Sequence, residues 1–259
     1  MSKLWGFGCS FTNYCWPTWC DILGQDLFAG NYVNYGLSGA DAHTINLRLQ
    51  QAINTGNIKS SDTVICVWST THRFNTYLNQ PDGFLLNCAG NIYNSKIYKQ
   101  YPEMVHEHLD DHNMLYRTVS AISSAYYSLL AVGCDFQFYA MNPVHRPDEL
   151  MTDDTVEHSL SHILAEFATP LQAIRATYLT DYFHSNWDNR AWRQPGTTDR
   201  LDTHPLPVEH AEFVAEHMGY AVNPDRWLEW AHHQMPHWRT YSEFCEWRLS
   251  KDTFTTLGP

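Results

Sequence analysis

Four short apolar runs, Leu4–Phe7, Tyr32–Tyr35, Thr63–Trp68 and Asp135–Met141, alternate with stretches of helical spacing at about Pro17–Phe28, Ala42–Ile53 and Met114–Val132. A strand that is apolar on both faces must be covered on both faces, and strands separated by helices pair in parallel. The pattern predicts an α/β fold with a parallel sheet between two helical layers. Loops leaving the carboxyl ends of such strands gather the functional groups. Here three polar clusters, GCSFT (8–12), GLSGAD (36–41) and STTHRF (69–74), follow three of the four runs.

The rest of the chain is less regular. Residues 75–113 are rich in Asn, Tyr and His and read as an insertion after the third strand. A further helical pattern covers Thr155–Tyr178, a polar loop covers Ser185–Asp202, and Pro207–His217 has helical spacing again, with Ala211, Phe213, Val214 and Met218 on its apolar side. The C-terminal stretch 222–259 is a Trp-rich helical extension carrying Trp227, Trp230, Trp238 and Trp247. With 259 residues, 44% of them hydrophobic and 17% charged, all of this fits one folded domain spanning 1–259.

The net charge of -12 argues against a nucleic-acid partner, because a phosphate-backbone binder needs a basic face. No segment approaches the roughly 20 apolar residues that span a bilayer, so no membrane partner is expected. The N-terminus has no charged region leading into a long apolar stretch, and a cytoplasmic or phage-associated location is the expectation. The seven cysteines are scattered without a C-x-x-C pair and read as buried thiols rather than a disulfide framework or zinc site.

Ser10 follows the first strand, where it would either present a nucleophile near a helix N-terminus or cap that helix, with Asn13 three residues on. A serine attacks only when a base takes its proton and amide donors hold the oxyanion. Far along the chain, Asp202-Thr-His-Pro205 precedes a helix; Asp and His two apart in extended backbone point the same way, so the carboxylate can orient the imidazole. Arg73 and His72 stand at the rim beyond the third strand as candidate substrate-binding residues. Arg73 would hold an anionic group or form a structural ion pair. The histidines at 106, 108 and 112 have a metal-like composition, but nothing supplies a third ligand in the way zinc needs, and no metal or other cofactor is expected. Cys9 reads as a core residue, although a thiol at a helix N-terminus can be nucleophilic. The tryptophans serve either as core or as a sugar-stacking surface.

GFGCSFT, NYGLSGAD, WSTTHRF and DTHPLPVEH, in that order, resemble the blocks of the SGNH (GDSL) hydrolase superfamily, in its divergent phage and marine-bacterial form. The resemblance implies a three-layer α/β/α, flavodoxin-like sandwich with a parallel sheet of about five strands. It implies Ser10 as nucleophile, His204 as general base and Asp202 as the carboxylate orienting it, with Asp199 as the alternative. It further implies an oxyanion hole from the N–H groups of Ser10 and Gly39, with Thr70 at the position of the family's Asn. Cys9 stands where the family has Asp, and Leu201 occupies the usual Asp position three before the histidine. The implied reaction is hydrolysis of a small acyl ester, such as an O-acetyl group on a carbohydrate, through an acyl-serine. The alternative is a non-catalytic SGNH-like module that binds glycan or belongs to a virion, suggested by the missing Asn and the aromatic C-terminus.

Overall fold

The first apolar run forms strand β1 (Leu4–Phe7), buried along its whole length. A computed structural model of the chain describes residues 2–80, 83–94, 96–142, 162–179, 192–193, 201–202 and 204–234. After β1 come helix α1 (Trp19–Asp26), strand β2 (Tyr32–Asn34), helix α2 (Ala42–Asn54) and strand β3 (Thr63–Trp68). An antiparallel hairpin, β4 (Arg73–Gln80) and β5 (Gly83–Asn91), leads through two short helices, α3 (Lys96–Gln100) and α4 (Pro102–His108), to the long α5 (Asp111–Val132) and strand β6 (Asp135–Ala140). Helical turns over 162–166 and α6 (Ala168–Gln172) precede β7 (Ile174–Tyr178). A short antiparallel pair, β8 (Trp192–Arg193) and β9 (Leu201–Asp202), and helices α7 (Pro207–Glu216) and α8 (Pro224–Gln234) follow.

Five strands make one parallel sheet in the order β2-β1-β3-β6-β7. Alternate residues of β1 show which helix covers which face. Gly6 lies against Trp19 and Cys20 of α1, whereas Trp5 and Phe7 stack on Tyr35, which Arg48 of α2 covers at 5.5 Å. In β6, Phe136 meets Tyr126 of α5, and Tyr139 meets Phe213 of α7. Helices α2 and α5 therefore form one layer, with α1 and α7 in the other, α8 packing on α7. The result is the three-layer α/β/α sandwich with flavodoxin-like strand order. Among the described residues, no helix is long and apolar enough to cross a membrane.

The helical reading of Thr155–Tyr178 needs correction at its end, since Ile174–Tyr178 is the fifth strand and pairs with β6. Pro170 has no N–H to continue a helical ladder, and the β-branched and aromatic residues that follow suit the open edge of β6. Residues 155–161 lie outside the described set. His108 and His112, i and i+4 in sequence, do not share a helix face: α4 ends at His108, and α5 starts afresh behind the Asp110 cap, whose side chain accepts the Asn113 N–H at 2.8 Å. Trp227 packs against Ile22 and Ala211 and donates to Asp26 at 3.0 Å, so it docks α8 rather than offering a ring to sugar. Trp238 and Trp247 lie outside the described residues.

The amino end of the sheet is fastened by one buried carboxylate. Asp62 accepts the N–H groups of Lys3 (3.1 Å) and Lys59 (3.0 Å) and the indole N–H of Trp5 (3.0 Å). Removing it strands those donors, and Asp62→Ala is expected to lower unfolding free energy by about 2 kcal/mol in urea titrations.

Candidate active site

β1 runs into a passage so narrow that only glycine fits. A Cβ on Gly8 would meet Thr12 Oγ1 and stand 2.9 Å from the Val67 carbonyl of β3; one on Gly36 would stand 2.6 Å from the Asn13 amide. Leu37 N–H donates to Gly8 O at 2.9 Å, while Thr12 and Asn13 N–H donate to Cys9 O at 2.9 and 3.1 Å. The chain thus turns sharply at Ser10, beside the end of β3. The strand order reverses direction between β1 and β3, and ligands bind at such switch points, outside the carboxyl ends of the strands. Ser10 is not a helix cap: α1 begins later, behind Thr18, whose N–H donates to Asp21 at 2.9 Å.

The structure brings Ser10 and His204 together. Ser10 Oγ and His204 Nε2 are 2.9 Å apart across 194 residues of sequence. The imidazole is held by the same loop that carries the serine. Tyr14 stacks on it at a centroid distance of 3.8 Å and 16°, and Phe11 meets it edge-on at 5.7 Å and 88°. Trp16, fully buried, donates its indole N–H to Pro205 O at 2.6 Å. On its far side the histidine runs into α7, where Glu209 caps the Leu206 N–H at 2.7 Å and Pro207 opens the helix. A serine hydroxyl against a fixed imidazole nitrogen is an arrangement for moving a proton from oxygen to nitrogen.

The period of the sequence does not mark these three aromatics as neighbours of His204 and Pro205. Their signal was FTNYCW, a run of aromatic residues in a segment with neither strand nor helix period. Cys9 is fully buried with its sulfur 3.1 Å from Met141 Sδ, so the thiol lies in the core. Burial pushes the thiols of Cys66 and Cys134 up, away from the reactive thiolate. Cys9, Cys15, Cys20, Cys66 and Cys134 are all buried and free of disulfides.

The other expected residues take positions around this pair. The backbone of Asp202 pairs with Trp192 two residues before His204; its side chain and all of Asp199 lie outside what is described. Gly39 has φ 78°, the left-handed conformation glycine tolerates, in a turn closed by Ala40 N–H to Leu37 O at 3.0 Å. Among the described residues, none accepts the Ser10 or Gly39 N–H. Thr70 is half-buried in the turn after β3, and its carbonyl accepts the Arg73 N–H at 3.4 Å. His72 is buried there, its ring 5.7 Å from that of Tyr93. His106 contacts the Tyr98 hydroxyl at 3.3 Å, and among the described residues no group of three or more His, Cys, Asp or Glu side chains could hold a metal.

No protein-family model and no curated protein matches this chain. Several solved structures are similar at the level of the backbone. One is an alpha/beta hydrolase enzyme from the metagenome of Lake Arreo, Spain, at 15% identity and TM-score 0.43, covering 83% of this chain and 94% of the other. Another is a catalytic mutant of Axe2, an acetylxylan esterase from Geobacillus stearothermophilus, at 13% identity and TM-score 0.40, covering 81% and 89%. A further Axe2 mutant, described as an acetyl-xylooligosaccharide esterase, aligns at 14% identity and TM-score 0.43, covering 86% and 96%.

Proposed function

We propose that the protein is a serine ester hydrolase of the SGNH type. The observation that carries this reading is the 2.9 Å contact between Ser10 Oγ and His204 Nε2 at the switch point of the sheet. Ser10 Oγ attacks the ester carbonyl while His204 Nε2 takes its proton. The imidazolium returns that proton to the departing alkoxide, leaving an acyl-serine and free alcohol. Water, activated by the same nitrogen, then attacks the acyl carbonyl and releases the acid.

Asp202 is assigned the role of orienting His204, with Asp199 as the alternative. The Ser10 and Gly39 N–H groups, unclaimed by other described residues, and the Thr70 hydroxyl are assigned to the oxyanion; one such donor is worth about 2.7–4 kcal/mol of transition-state stabilisation. His72 and Arg73 are assigned to substrate contact at the rim. The substrate is a small acyl ester, with an O-acetyl group on a carbohydrate as the leading case, and the chemistry needs no cofactor.

The test is labelling of the purified protein by a fluorophosphonate, together with turnover of p-nitrophenyl acetate. Labelling and turnover support the hydrolase. A protein that does neither and instead retains an unmodified glycan is the non-catalytic module, against which the fixed serine–imidazole contact stands. Trp16→Phe removes the donor to Pro205 O and is expected to cost about 1–3 kcal/mol of stability. The freed His204 segment should also slow fluorophosphonate labelling, measured as a rate at saturating probe.

A further inference from the structure

Arg73 opens β4 directly after the 69–72 turn that ends β3. β4 is tied to the start of α2: Asn75 N–H donates to Asp41 Oδ2 at 3.0 Å and Asn75 Nδ2 to Thr44 Oγ1 at 3.1 Å. Arg73 therefore stands at the joint between the 69–72 turn and the 37–41 loop. Both border the crevice at whose other side Ser10 follows β1, because Leu37 N–H is bonded to Gly8 O at 2.9 Å.

Among the described residues its guanidinium is unusual in being partly buried with one nitrogen unsatisfied. Nη1 is shielded from solvent and has no hydrogen-bond partner, and among the described residues no carboxylate forms an ion pair with it. Asp41, the carboxylate at the same joint, is committed elsewhere. It accepts from Thr44 N–H at 2.7 Å and from Asn75 N–H, and its cationic neighbour is Arg117 at 3.9 Å. The chain has 28 acidic and 16 basic residues, so a shortage of carboxylates does not explain an unpaired arginine. An unsatisfied buried N–H on a charged group is costly, and a ligand that brings the missing acceptor removes the cost.

The geometry points to Arg73 as the anchor for a carboxylate on the substrate, so that the ester cleaved at Ser10 is an anionic one. This rests on the hydrolase reading and narrows it. A guanidinium presents a planar fork that matches a carboxylate through two parallel N–H···O bonds. A single cation with Arg117 already beside Asp41 suits a monoanion better than a phosphate dianion. The protein's net charge of -12 repels an anion only at long range, where salt screens it beyond about 8–10 Å, so the local cation decides.

The test uses two matched ester pairs. One is 4-acetoxybenzoate against its methyl ester, with the charge on the alcohol side. The other is p-nitrophenyl hemisuccinate against p-nitrophenyl methyl succinate, with the charge on the acyl side. The wild-type protein is expected to favour the anionic member of one pair by tenfold or more in kcat/KM, mainly through KM. Arg73→Leu should bring that ratio towards one, and Arg73→Lys should leave an intermediate ratio. Calorimetry of 4-acetoxybenzoate and hemisuccinate on Ser10→Ala, with and without Arg73→Leu, reads binding without turnover and should show the same loss. No charge preference in either pair, or a ratio that survives Arg73→Leu, overturns the inference while leaving the hydrolase intact. Absence of any ester turnover or fluorophosphonate labelling in the wild type overturns both.

Discussion

Ser10→Ala is expected to abolish fluorophosphonate labelling and to lower kcat for p-nitrophenyl acetate by about 10⁴–10⁶-fold, the loss that the proposed nucleophile role predicts. Under the same proposal His204→Ala is expected to produce a loss of the same order, because the hydroxyl 2.9 Å from its Nε2 then has no acceptor for its proton. Groups that act as one unit lose their effect together, so the double variant falls no further than either single one. That non-additivity separates a working pair from two residues that merely touch. Turnover that persists in Ser10→Ala, or single losses that multiply in the double variant, would show that the acyl group is carried elsewhere. Circular dichroism and urea midpoints close to wild type are expected for Ser10→Ala, which removes one hydroxyl from a turn held by Cys9 O, Thr12 and Asn13.

Gly8→Val has the largest expected effect on stability. The added carbons would enter the space of Thr12 Oγ1 and press on the Val67 carbonyl, which is backbone of the central strand and cannot swing aside. Overpacking against fixed backbone is expected to cost about 3–5 kcal/mol, which would leave a domain of ordinary stability barely folded. Thermal unfolding and expression in soluble form read the outcome. Folded protein at wild-type stability would mean that the β1 exit is looser than the distances indicate. Gly30 is the natural control, because a Cβ there meets nothing within 4 Å, although its φ of 80° still disfavours a side chain.

Much of the sheet was legible because its signals are local. Leu4–Phe7 and Thr63–Trp68 end where the apolar runs end, and each is followed by a polar cluster in which glycine or a hydroxyl replaces large side chains. The fifth strand was not legible, since Ile174–Tyr178 carries an arginine and follows helical spacing; only the free edge of β6 makes it a strand. The pairing of Ser10 with His204 could be read from residue type and order, because a serine after one strand and an Asp-x-His before a late helix is a rare combination. The cradle of Phe11, Tyr14 and Trp16 could not be read. It depends on a segment from the far end of the chain arriving on their faces, and nothing in their own spacing announces that partner. Spacing alone does not choose between an ion pair and a ligand contact for Arg73; the commitments of Asp41 to Thr44, Asn75 and Arg117 come from three different elements and are invisible in sequence.

The grip of the early loop on Pro205 and His204 also orders events in time. β1, β3 and β6 pair with one another early in the sequence, whereas the serine meets its imidazole only across 194 residues. A nascent chain that has not yet released α7 from the ribosome is therefore expected to hold the strands of the sheet and a serine without its imidazole. The contacts of Tyr14 with His204 and of Trp16 with Pro205 form only when the last helices dock. On the hydrolase proposal, activity would then report that synthesis has passed α7, and shorter translation products would carry Ser10 without the imidazole that takes its proton.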